Sequence, residues 1–167
     1  MTRLVSRIQP CLWFDTQAEE AANFYVGIFP NSRILGVSHY SEAGQEFHGK
    51  PPGQVMAVPF TLDGNPMLAL NAGPEFKFSP AVSLMILCDT QAEIDHYWNA
   101  LSAGGDPAAQ QCGWLADRYG LSWQVTPRDW ERLMTTPDQA AAQRVMEAIH
   151  TMKKLDIAAL QAAFDGR

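Results

Sequence analysis

The sequence predicts an α+β protein made of two tandem strand–helix–strand–strand–strand units, with further helices after them. Three observations predict this. The pentapeptide DTQAE occurs at 15–19 and again at 89–93, 74 residues apart. Each copy follows a strand-like run, RIQPCLWF in the first case and AVSLMILC in the second. Each copy also spells a capping box, Thr16 with Glu19 and Thr90 with Glu93, so each marks a helix start.

The elements follow in order. After the first box, Ala21, Phe24, Tyr25 and Ile28 recur at helical spacing, and Pro30 ends the helix. In the second helix the stripe is Ile94, Tyr97, Trp98 and Leu101, ended by Gly104 and Gly105. Strands are expected at 33–41, 54–62 and 66–71, the last two joined by the hairpin signal Asp63-Gly64-Asn65. In the second half, 108–117 should supply one or two strands and 121–126 another. The Gly- and Pro-rich loop at 42–53 reads as a mobile flap. Beyond Pro127 the chain turns helical. Pro137 and Asp138 open a helix bearing Ala141, Val145, Ala148 and Met152, and a short last helix carries Ile157, Leu160 and Phe164. The domain plan is therefore 1–127, with units at about 5–73 and 80–127, and a helical extension at 128–167. These last helices are expected on the outer sheet face or on a neighbouring subunit.

Composition narrows the class. A hydrophobic content of 47% with 18% charged residues is that of an ordinary globular chain. Net charge −6 with no basic run argues against nucleic acid, which needs clustered Lys and Arg. Apolar runs are strand length, short of a membrane span, and no secretory leader pattern opens the chain. Cys11, Cys88 and Cys112 are widely spaced without a CxxC, which fits reduced thiols in a cytoplasmic protein.

The tandem units resemble the vicinal oxygen chelate superfamily, which includes glyoxalase I, bleomycin-resistance proteins and extradiol dioxygenases. Three stretches, LWFDTQAEEAANFYVGIFPNSRI, FTLDGNPMLALNAG and GWLADRYGLSWQVTP, look like its PhnB-like branch. Members of that branch are often labelled 3-demethylubiquinone-9 3-methyltransferase-like. The resemblance covers about residues 5–127. It implies a curled mixed sheet from each unit with a cleft between the two, and a homodimer.

In the metal enzymes of that superfamily, four ligands, usually His, Gln or Glu, come from the first and last strands of each unit. Superposing the two DTQAE copies pairs Gln9 with Ser83. Aligning MLALN with SWQVT pairs Ala69 with Gln124. Two amides, a hydroxyl and a methyl do not supply the anionic oxygen or imidazole nitrogen a divalent ion wants. The expectation is a cleft without metal or other cofactor that binds a small organic molecule. The rivals are a metal-dependent lyase, isomerase or dioxygenase completed by His39 or His48, and a resistance protein that only sequesters its ligand.

Strand alternation sorts the lining. Ser122 and Thr126 share the Gln124 face, Met85 and Leu87 the Ser83 face, Cys11 and Trp13 the Gln9 face, and Met67 and Asn71 the Ala69 face. The candidate ligand-binding residues are thus Gln9, Trp13, Asn71, Ser83 and Gln124. The plainer alternative is that Gln124 and Ser83 only satisfy hydrogen bonds within a sheet. His39, His48, His96 and His150 show no metal spacing. Cys11 reads as a buried, inert thiol, and Asp117 with Arg118 as a local salt bridge or surface pair. A glycine-rich loop of the kind that holds S-adenosylmethionine is missing from the sequence, so the methyltransferase label finds no support in these residues.

Overall fold

The computed structural model describes residues 7–167 and divides at Lys77 and Phe78 into two compact units. The expected start of the first unit at residue 5 lies outside the described residues. The fold is α+β, with a mixed sheet in each unit and helices at the C-terminal end. No helix among the described residues is long and apolar enough to cross a membrane.

The first unit runs β1 (Cys11–Phe14), α1 (Ala18–Ile28), β2 (Arg33–Ile34), β3 (Ser38–His39), α2 (Gln45–His48), β4 (Val55–Leu62) and β5 (Asn65–Asn71). The sheet order is β1-β5-β4-β2, with β3 also on β4, and β1 lies parallel to β5 while its other pairs are antiparallel. The single strand expected at 33–41 is two short pieces, β2 and β3, and the register of β3 on β4 shifts between Ser38 and His39. The turn at Asp63 and Gly64 has positive φ at both residues, as a tight two-residue hairpin demands.

Helix α1 covers one sheet face. Its buried stripe is Ala18, Ala21, Ala22 and Tyr25, so Phe24 and Ile28 stand further out than the periodicity suggests. Small alanines let the helix approach closely, and Tyr25 stacks on Phe60 of β4 with ring centroids 6.5 Å apart. Leu12, Phe14, Val58, Met67 and Ala69 complete this core. Each large apolar side chain so buried contributes about 2 kcal/mol.

The second unit runs β6 (Ser83–Cys88), α3 (Gln91–Ser102), β7 (Trp114–Ala116), β8 (Ser122–Pro127), α4 (Trp130–Met134), α5 (Gln139–His150) and α6 (Ile157–Asp165). Its sheet order is β6-β8-β7, β6 parallel and β7 antiparallel to β8. Between α3 and β7 the chain makes a 3-10 turn at Pro107–Ala109 where the first unit has strands. Gly105 belongs here because any side chain would meet the Ala116 carbonyl, a Cβ lying 2.0 Å from its oxygen. Ile94, Trp98 and Leu101 of α3 pack on the face bearing Leu115, Trp123 and Val125.

The C-terminal helices belong to this second unit. Leu133, Val145, Ile149, Leu155 and Leu160 form a cluster of their own, with Met146, Ala148, Met152 and Phe164 packed against it. Asp138 caps α5 through the Ala140 and Ala141 N–H groups, and Asp156 caps α6 through that of Ala159. The cluster is anchored by polar bonds. Cys112 and Gly113, both at positive φ, donate their N–H groups to the carbonyls of Met152 and Lys153. Gln91 of α3 donates to the Leu155 carbonyl and accepts from the Ile157 N–H.

Candidate functional site

The DTQAE repeat lets the pairing within each sheet serve as a ruler. Cys11 pairs with Leu68 across β1 and β5, and Met85, 74 residues on, pairs with Gln124 across β6 and β8. Gln124 therefore corresponds to Leu68, one residue before the Ala69 expected from sequence. A one-residue slip moves a side chain to the other face. Ala69 and its neighbours Met67 and Asn71 accordingly lie on the face buried under α1.

Asn71 shows the consequence. It is 2% exposed, and its amide is used at both ends. Oδ1 accepts from the Ala18 N–H at 2.8 Å, and Nδ2 donates to the Val55 carbonyl at 3.1 Å. The side chain caps α1 and ties it to β4; it does not line an open face. This also corrects the first capping box: α1 starts after Gln17 with no side-chain cap of its own. In the second unit Pro127 stands where Asn71 stands in the first, since Phe14 pairs with Asn71 and Cys88 with Pro127. A proline cannot cap, and there the Thr90–Glu93 capping box forms in full.

The second unit's open face is built by alternate residues of three strands: Ser83, Met85 and Leu87 of β6, Ser122, Gln124 and Thr126 of β8, with Trp114 paired to Gln124 from β7. Two expected residues meet there: Gln124 Nε2 donates to Ser83 Oγ at 2.8 Å. Thr126 turns its hydroxyl to the Ile86 carbonyl at 3.1 Å. Met85 and Leu87 remain 46% and 44% exposed. On this face Ser122 and Thr126 are buried, Met85 and Leu87 are exposed, and Gln124 and Ser83 are joined by one amide–hydroxyl hydrogen bond.

In the first unit the open face carries Cys11, Trp13, Leu68 and Leu70, with Ala57 and Pro59 in register beyond them. Gln9 precedes β1 and is exposed, so it is not part of the strand face. Cys11 is exposed rather than buried, although contact with the sheet raises its thiol by desolvation. Trp13 is half-buried; its indole Nε1 donates to the Gly73 carbonyl at 2.8 Å, and its ring meets Phe76 edge-on at 5.0 Å.

The loop at 42–53 packs against Tyr40. The Tyr40 hydroxyl donates to the Asn71 carbonyl at 2.6 Å, and its ring lies 4.5 Å from that of His48. His48 Nδ1 accepts from the Lys50 N–H at 3.0 Å. His39 is exposed on β3. Among the described residues no three His, Cys, Asp or Glu side chains gather as a metal site would require. Position by position, Gln9, Leu68, Ser83 and Gln124 do not fit a divalent ion, and the correction from Ala69 to Leu68 adds no donor.

Asp117 departs furthest from expectation. It is buried, and its carboxylate accepts from the Tyr119 and Leu121 N–H groups and from Trp123 Nε1 at 2.9 Å. Arg118 donates to the Ala103 carbonyl. The sequence signal was available: an Asp two residues before a Tyr-Gly pair is an Asx-turn pattern.

A family model described as 3-demethylubiquinone-9 3-methyltransferase matches residues 6–126, from the lead-in of β1 to the end of β8. The chain belongs to this family. A solved relative is a PhnB protein from Bacillus cereus, which carries the same methyltransferase label provisionally. It is 36% identical, the match covering 73% of this chain and 99% of that one, with a TM-score of 0.62. This supports placing the chain in the PhnB-like branch of the family. A Pseudomonas aeruginosa protein, 22% identical over 73% of this chain and 98% of its own, shares the fold with a TM-score of 0.50. No curated protein matches. The family match stops just short of α4.

Proposed function

We propose that this family member binds a small organic molecule on the open sheet face of its second unit, without a resident metal. The observation that carries the reading is the Gln124–Ser83 hydrogen bond beside the exposed apolar side chains of Met85 and Leu87. Ligand sites join apolar walls to a few placed polar groups, and an amide can exchange its partner for a ligand's donor or acceptor. The order of elements in both units supports membership of the vicinal oxygen chelate superfamily, and the donor chemistry supports a metal-free member. The protein works in the cytoplasm as a homodimer; its three free thiols and its exposed Leu35, Val37 and Val82 support that reading.

The test is a small-molecule screen read by amide and side-chain NMR. Hits should shift the Gln124 and Ser83 signals, and Gln124→Ala should weaken them about tenfold, the worth of one hydrogen bond. Hits that bind Gln124→Ala undiminished would count against the site. Stoichiometric Zn, Mn, Fe or Ni, stripped by chelator with loss of binding, would overturn the metal-free reading. Conversion of a hit to product would separate catalysis from sequestration, and light scattering checks the dimer.

A further inference from the structure

The loop at 42–53 has a closed base and a hinged tip. Main-chain bonds close the base: the Tyr40 N–H donates to the Gln54 carbonyl and the Gly53 N–H to the Tyr40 carbonyl, both at 2.9 Å. The tip is α2, about one turn of helix set between Gly44 and Gly49. Both glycines take positive φ, 79° and 66°, a conformation that costs glycine little. His48, the last residue of that turn, ties the tip down. Its Nδ1 accepts from the Lys50 N–H at 3.0 Å, and its ring lies 4.5 Å from the ring of Tyr40. Tyr40 is itself anchored, its hydroxyl donating to the Asn71 carbonyl. An imidazole nitrogen accepts only while it carries no proton. The Lys50 bond therefore needs a neutral ring with Nδ1 bare. The ring hydrogen then sits on Nε2, which lies 3.4 Å from the Ala43 carbonyl.

We infer that His48 is a proton-operated clasp: a proton taken up at Nδ1 breaks the Lys50 bond and frees the turn at 49–53, while the ring stays on Tyr40. Once Nδ1 is protonated, two donors face each other at hydrogen-bond distance and must part. The ring contact responds in the opposite sense, because a cation is attracted to an aromatic face. The release is therefore local to the turn. The titratable and charged groups about His48 are Tyr40 against its ring, His39 beside Tyr40, and Glu42, Glu46 and Lys50 in the loop. Carboxylates favour the charged ring and ammonium groups oppose it. They set the pH at which the proton arrives, and the geometry sets what it does to the Lys50 bond. The inference uses the first unit alone and stands whether or not the Gln124 site holds.

The test is an NMR titration of the full-length protein from about pH 8 to 5, the range in which histidines change charge. The His48 ring C–H signals, assigned by their loss in His48→Asn, report the proton, and the Lys50 amide reports the clasp. The Lys50 amide should shift with the same midpoint as the His48 ring. Its exchange protection, corrected for the intrinsic effect of pH, should fall about threefold to tenfold, the worth of one hydrogen bond. The contact between the His48 and Tyr40 rings should persist in acid. In His48→Asn, whose amide takes up no proton in this range, the Lys50 amide should stay flat. A flat Lys50 amide while the His48 ring titrates overturns the inference, and so does a His48 ring that stays neutral at pH 5. Unchanged protection of Lys50, an equal Lys50 titration in His48→Asn, or loss of the Tyr40 contact in acid overturns it as well.

Discussion

Asp117 places a buried carboxylate among two backbone N–H groups and the Trp123 indole, at the turn that delivers β8 and therefore Gln124. Removing one member of such a group strands the others without partners. Asp117→Ala should lower stability by about 3 kcal/mol, measured by urea unfolding, with the Gln124 signals broadened in the native state. Cys88 gives a second residue-scale prediction. It is buried, and burial first, then the Glu93 and Asp89 carboxylates, push its thiol from 9.0 up to about 12. The folded value lies above the unfolded one, so its contribution to stability is full below about pH 9 and is lost as pH rises through 12. Comparing wild type with Cys88→Ala from pH 8 to 11 should isolate that decline. Thiol labelling at pH 8 should reach exposed Cys11 well before Cys88.

At the scale of elements, the two DTQAE copies show what sequence does and does not determine. Both helices were legible, and so were the strands before them, because capping and periodicity are local. How α1 is capped was not, because the group that caps it, Asn71, lies 53 residues away and depends on the β1–β5 register. The same register decided between Ala69 and Leu68, and strand alternation alone cannot detect a slip of one. Gln124 and Ser83, named from sequence on separate strands, meet through one hydrogen bond because β6 and β8 are paired. The two capping solutions predict opposite outcomes from one substitution. Thr90→Ala should cost about 1 kcal/mol, while Thr16→Ala should stay within about 0.5 kcal/mol by thermal unfolding.

For the molecule as a whole, the family match covers the two strand–helix units and ends before the C-terminal helices, which are bonded into the second unit. This helical segment meets the Gln111–Cys112–Gly113 turn and Gln91 of α3, and Lys154 pairs with Asp95 at 2.6 Å. Ending the chain after Pro127 should therefore remove hydrogen-exchange protection from the Cys112 and Gly113 amides by at least about tenfold. Protection of Val58 and Phe60 in the first unit's β4 should persist. Unchanged protection at 112 and 113 would mean that the helices do not cover this turn in solution.

The turn at Cys112 and Gly113 reaches the C-terminal helical segment through main-chain N–H groups and main-chain carbonyls. A latch made of backbone is indifferent to most of the side chains it holds. The solvent-facing surface of α5 and α6 can therefore be rewritten, for tagging or immobilisation, without loosening the latch. Gly113 is the exception: its positive φ and a Cβ position 2.9 Å from Leu155 leave no room for another residue. For anyone re-engineering this protein, that glycine is the fixed point, and the solvent-facing sides of the helices it holds are free material.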